Sequence, residues 1–180
     1  MSTGTTIGVI VAVLVVLAGV AVLLKVFLQR RRLRSRFGPE YERAVAGSDN
    51  RMAAERELVQ REREHKDLDI RALNAATRES YARHWTEVQE QFVDDPEQAV
   101  TAADRLVTDL MAERGYPTEG YERQVSMLSV AHAKTLEHYR EAHDITTRHE
   151  RGEATTEDLR SAMVHYRTLF EDLLGREGAR

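Results

Sequence analysis

The first apolar stretch of the chain is unbroken. From Ile7 to Leu24 every position is Ile, Val, Leu, Ala or Gly; Lys25 interrupts, and Val26, Phe27 and Leu28 complete the run. As a helix these residues span roughly 33 Å, close to a hydrocarbon core of about 30 Å. Lipid offers the backbone no hydrogen-bond partners, so the pattern predicts a transmembrane helix over 7–28 despite its many β-branched valines. Lys25 lies near one end, where its stem lets the ammonium reach the headgroups.

Past residue 38 the pattern changes to helical periodicity. Pro39 fits a helix first turn and Gly47 ends a short helix over Pro39–Ala46; Ser48, Asp49 and Asn50 then offer capping oxygens. From Arg51 to Val93 there is no Gly or Pro, which permits one long helix or two with a break. Residues 54–69 are mostly charged, with Leu58, Val59 and Leu68 apolar, and favour a solvated helix stitched by pairs such as Glu62/Lys66. Tyr81, Trp85, Val88 and Phe92 then form a core-facing stripe. Asp94-Asp95-Pro96-Glu97 is a helix start, and Ala99, Val100, Ala103, Leu106, Val107, Leu110 and Met111 share a side before Arg114-Gly115. Thr118 is the expected cap of a piece carrying Tyr121, Val125 and Leu128, with a break near Ser129-Val130. A helix over about 131–151 then places His132, His138, His143 and His149 together. Thr155-Thr156-Glu157-Asp158 opens the last helix, with Leu159, Met163, Tyr166, Phe170 and Leu173 on its apolar side.

The expected fold is all-α: an N-terminal transmembrane helix, a long charged helix and a C-terminal antiparallel helical bundle. Its divisions are a short extracytoplasmic tail (1–6), the span (7–28), a basic juxtamembrane collar (29–38), a charged helical stalk (39–80) able to extend into a coiled coil, the bundle (81–175) and a frayed tail (176–180).

Charge adds an orientation. The collar Gln29-Arg30-Arg31-Arg32-Leu33-Arg34-Ser35-Arg36 follows the span, and no Lys or Arg precedes it. A cleaved signal peptide has the opposite polarity and a shorter apolar core. Positive residues stay cytoplasmic, so the expected topology is single-pass in the cell membrane, with the N-terminus outside and the C-terminal body cytoplasmic. Lys25, Arg30, Arg31, Arg32, Arg34 and Arg36 are the candidate contacts to anionic lipid headgroups. These six are the only charged residues in the first 36 positions, which leaves 20 bases against 30 acids in the remainder, a net charge of −10. Such a body is repelled by anionic lipid and by nucleic acid. The absence of cysteine excludes disulfide and thiol chemistry. All but Lys25, Lys66 and Lys134 of the 26 basic residues are arginine, which reads as codon usage.

Three blocks carry a resemblance: Phe92-Val93-Asp94-Asp95-Pro96 with Ala103-Asp104-Arg105-Leu106-Val107 and Arg114-Gly115-Tyr116-Pro117; Leu128-Ser129-Val130-Ala131-His132 with His138-Tyr139-Arg140 and His143; and Thr156-Glu157-Asp158-Leu159-Arg160 with His165-Tyr166-Arg167 and Phe170. Over residues 80–175 the chain resembles an uncharacterised family of small bacterial proteins, common in actinobacteria, with one N-terminal span and a helical body. The resemblance implies membrane attachment and no established activity, and brings no site residues.

Catalytic patterns are lacking. The histidine spacings of 6, 5 and 6 from His132 to His149 miss the i,i+4 spacing of a helical metal pair, and Glu62–His65 has no partner motif. Ser126, Ser129 and Ser161 fall in helical stretches without a nucleophile elbow. P-loop, Rossmann and kinase signatures are absent. No cofactor, metal or catalytic residue is expected. The reading is a membrane-anchored protein–protein interaction or scaffold module, not an enzyme, with a protein partner or self-association. The alternative is a ligand-binding sensor or enzyme with a pocket near Trp85, Tyr116, Tyr139 and His143.

Overall fold

The computed structural model describes residues 3–175, with side chains from Ala12 onward. Within them the chain forms eight helices and no strand: α1 (Thr3–Phe37), α2 (Pro39–Ala46), α3 (Arg51–Lys66), α4 (Ala75–Asp94), α5 (Pro96–Glu113), α6 (Tyr121–Ala131), α7 (Leu136–Glu150) and α8 (Thr156–Leu173). The fold is all-α, as the periodicity predicts. Thr3–Thr6, placed in the N-terminal tail by the sequence, already belong to α1. Met1, Ser2 and the expected frayed tail 176–180 lie outside the described residues.

The chain divides into two compact units, Met1–Leu58 and Val59–Arg180. The division falls inside α3, whereas the sequence reading drew its line between stalk and bundle at residue 80.

In the first unit α1 does not stop at the end of the apolar run. It carries the collar as helix to Phe37, because nothing between Leu28 and Phe37 breaks it and arginine is a good helix former. Gly38 then turns the chain at φ 49°, and Pro39 opens α2. Leu33 and Phe37, one turn apart, are buried together with Tyr41, Ala54 and Leu58. Asn50 caps α3, its Oδ1 accepting from the Ala53 amide at 2.8 Å.

The second unit packs α4 on α5, α5 on α8 and α7 on α8, with α6 against α7. The side-chain stripes read from the sequence supply its core: Trp85, Val100, Ala103, Val107, Leu110, Met111, Leu159, Met163, Tyr166, Phe170 and Leu173 are all buried. The helix starts also hold. Asp95 accepts from the Gln98 amide at 3.1 Å, and Thr155 and Asp158 form a reciprocal capping box. α5 and α8 run in the same direction: Arg114 after α5 donates to the Leu173 carbonyl at the end of α8, and Asp104 in α5 accepts from Tyr166 in α8. The bundle is therefore antiparallel between consecutive long helices and parallel across this pair.

One alternative left open by the sequence is decided here, and two boundaries differ from expectation. The stretch without Gly or Pro is two helices, separated by residues 67–74, where Asn74 caps α4 by accepting from the Thr77 amide at 2.8 Å. Leu68, Ile70 and Leu73 of the break pack on the core, so this end of the charged segment is fastened to the unit. α6 starts after Gly120, at φ 77°, and has no side-chain cap; the Thr118 carbonyl instead accepts from the Gln124 side-chain Nε2 at 2.9 Å. The break after α6 comes at 132–135, slightly later than expected, and removes His132 from the helix that holds His138, His143 and His149.

Candidate functional site

The collar residues separate into different roles. Arg30 pairs with Glu55 (Nε to Oε1, 2.9 Å), and Glu55, itself buried, also accepts from the Tyr41 hydroxyl at 2.8 Å. Burial, with the hydrogen bond to Glu55 and its charge, raises the Tyr41 pKa, so this hydroxyl stays a donor. Arg34 pairs with Glu42 at 3.2 Å and stands over the Tyr41 ring at 5.2 Å. Two collar arginines therefore hold α1, α2 and α3 of the first unit together. Lys25, Arg31, Arg32 and Arg36 are exposed. Sequence position alone puts all six in one group and does not show this division. The i,i+4 relation of Arg30 and Arg34, on the side of Leu33 and Phe37, was the available signal.

The aromatic residues proposed to line a pocket instead fill the second unit. Trp85 stacks on Phe170 with centroids 4.7 Å apart. Tyr139 donates to Gln124 Oε1 at 2.7 Å, and His143 stacks on Tyr121 with centroids 3.9 Å apart. Burial raises the pKa values of Tyr139 and Tyr166, reinforced for both by the charge of Asp104. Neutral phenols in these positions act as hydrogen-bond donors within the core.

Tyr116 belongs to a buried polar chain. His132 places Nδ1 2.7 Å from Asp172 Oδ2 and Nε2 3.1 Å from the Tyr116 hydroxyl. Thr135 donates to the same Asp172 oxygen at 2.6 Å. Burial raises the Asp172 pKa, but the His132 and Thr135 hydrogen bonds and the charges of His132 and Arg114 outweigh it and hold the carboxyl below its usual range. Burial pushes Tyr116 up to about 12. The order carboxylate–imidazole–hydroxyl is that of a hydrolytic triad, but the hydroxyl is a phenol that is only 4% exposed. Its physical role is to fasten the α6–α7 break to the end of α8.

A second histidine contact joins α7 to α8. His138 Nδ1 and His165 Nδ1 are 2.9 Å apart, and their ring centroids 5.2 Å. The difference is close to two ring radii, so the nitrogens face one another nearly head-on and one proton can serve both rings. Burial and the neighbouring His138 charge lower the His165 pKa, opposed by Glu141. A folded-state pKa below the unfolded one means that stability is present above about pH 6.5 and is lost as the pH falls through the folded value. His165→Gln is therefore expected to flatten the thermal-stability profile between about pH 7 and pH 5, read by circular dichroism of the full chain; an unchanged slope would exclude the pair as its source. Among the described residues no group of three or more His, Cys, Asp or Glu is placed to hold a metal ion.

The second unit carries an open groove of about 740 Å³ along α4 and α5. Val88, Ala102 and Leu106 form its half-buried floor, and Glu87, Glu97 and Asp109 are among the exposed residues on its rim. His149 of α7 closes one end, with Nε2 3.8 Å from Glu97 Oε2. Sequence periodicity assigns Leu106 to the core stripe; it packs against the core and is also open to the groove.

This architecture defines the class as an all-α protein with, among the described residues, one helix, near the N-terminus, long and apolar enough to span a membrane. Its apolar window has a mean hydropathy of 2.5 with none of its residues buried. No family model, curated protein or solved structure matches the chain.

Proposed function

We propose that the chain is a single-pass membrane protein of the cell membrane, with its N-terminus outside and its helical body in the cytoplasm, acting there as a protein–protein interaction or scaffold module. The observation that carries the reading is the wall of α1. Val13, Leu14, Val15, Val16, Leu17, Val20, Val22, Leu23 and Leu24 are each more than half exposed, and such a surface is stable in lipid and not in water. The collar supports the orientation, because basic residues flank only one end. Lys25 and Arg31, which are exposed, are assigned the principal contacts to anionic headgroups, while Arg30 and Arg34 are committed to Glu55 and Glu42.

The interaction reading is preferred over a sensor or enzyme because the aromatic residues of the second unit are spent on core contacts. The resemblance to small bacterial single-span proteins is consistent with it. A cysteine inserted after Gly175 tests the topology cleanly, since the chain has no other thiol. The expected result is labelling by a membrane-impermeant maleimide only after permeabilisation; labelling in intact cells would reverse the orientation. Capture of partners from membranes tests the module itself. Partner sets that do not change on deletion of residues 92–175 would remove it.

A further inference from the structure

We propose that the α4–α5 groove is the docking surface of this body and that its occupant is a basic amphipathic helix of another protein. The inference rests on the interaction-module reading and gives it a place and a ligand chemistry.

The groove combines two surfaces. Its floor is apolar, with Val88, Ala102 and Leu106 half-buried and open to one side. Its rim is acidic: Glu87, Glu97 and Asp109 stand against the single guanidinium of Arg105, with His84 and His149 at its edges. An apolar floor beneath carboxylates is complementary to a helix with one apolar face and Lys or Arg flanking it. The length fits as well. On α5 the lining runs from Glu97 to Asp109, which is about 18 Å along the axis, or three turns of a docked helix. Glu97 and Asp109 would receive basic residues near i and i+11, which share one helix face, and Glu87 a third between them.

Other occupants fit less well. Two charged helices of a second copy are poor candidates: α3 mixes acids and bases around its circumference, and the basic end of α1 presents Leu33 and Phe37 to its own unit. A metal ion has no set of three ligands among the described residues. A small molecule would leave most of an open trough of this length uncovered.

The test uses the full chain in nanodiscs, with a photo-crosslinking amino acid at Thr101, an exposed residue lining the groove. The probe is a synthetic helix of leucines on one face and lysines on the other, set against its leucine–glutamate counterpart. Crosslinking at a defined residue separates docking from adsorption to the bilayer. The expected result is an adduct with the lysine helix and not with the glutamate helix. Combined Glu87→Gln, Glu97→Gln and Asp109→Asn should cut the yield about tenfold, the size three exposed ion pairs produce together. Glu79→Gln, Glu119→Gln and Glu122→Gln, which change the net charge equally outside the groove, should leave it intact. Equal adducts with both helices, equal losses in both variant sets, an adduct only with a second copy of this chain, or no adduct would each overturn the proposal. If Thr101 gives no adduct while partner capture still depends on residues 92–175, the module stands and this groove is not its surface. If capture fails too, both fall.

Discussion

Gly115→Ala is expected to lower the stability of the second unit by on the order of 3 kcal/mol, although it adds a single methyl group. Two independent costs meet there. Gly115 has φ 88°, a conformation that costs an L-residue about 1–2 kcal/mol. A Cβ at this position would also lie 2.2 Å from the Asp69 carbonyl oxygen, a backbone atom that cannot rotate away. Relief requires residues 67–73 to move, and that breaks the bond from the Arg71 amide to the Arg114 carbonyl, 2.9 Å long in the native chain and worth about 1 kcal/mol. For a chain of this size the melting temperature should fall by roughly 6–12 °C, measured by circular dichroism of the full chain in detergent. A change of a degree or less would mean that the close approach of the two segments does not exist. Gly152, also at positive φ but with nothing within 4 Å of its Cβ, separates the causes: its alanine variant carries the conformational cost alone.

Asp172→Ala should have an effect of similar size, about 1–3 kcal/mol, the usual result of leaving buried hydrogen-bonding groups without their partner. The loss leaves the His132 ring and the Thr135 hydroxyl without their common acceptor. Its dependence on pH distinguishes this cause from simple cavity formation. Asp172 has a folded pKa held below its unfolded value, so its contribution is complete above about pH 4 and vanishes as the pH falls through the folded value. Wild type and variant should therefore differ by a constant amount at neutral pH, and the gap should close in acid. Chemical denaturation at a series of pH values measures it. A gap that persists unchanged to pH 3 would assign the cost to packing.

These two sites show where the sequence is readable and where it is not. Local signals were legible: Pro39 and Gly47 bound α2, Asp95-Pro96 opens α5, and Thr155 with Asp158 opens α8. Each is settled within about four residues by chain stiffness or capping, which is why sequence pattern suffices. Gly115 was legible as a helix stop, but the approach of Asp69 was not, because 46 positions separate the two. The helix break at 67–74 carries no Gly or Pro; it exists because Leu68, Ile70 and Leu73 gain more by packing on the core than by continuing α3. His132 was visible as one of four histidines, yet its partner Asp172 lies 40 residues away. The same holds for His138 and His165, and for Arg30 and Glu55, joined only by the fold. The groove shows the opposite failure. Its residues lay in plain view as two amphipathic stripes, and the sequence did not say that Leu106 would remain half-uncovered.

The unbroken path of α1 has a mechanical consequence. A helix of 35 residues measures about 52 Å, while a hydrocarbon core is about 30 Å thick, so a bilayer placed around its apolar window would leave the last turns clear as a stiff mast. A flexible linker would let the attached domain tumble and would transmit nothing but proximity. Here the only joint before α2 is Gly38, and the Arg30–Glu55 and Arg34–Glu42 pairs brace the segment on either side of it. If the apolar part of α1 lies in a bilayer, a change in its tilt or rotation would be delivered to α2 as a turn or a sideways displacement. In a chain built this way, a bilayer around α1 would supply torque as well as an address.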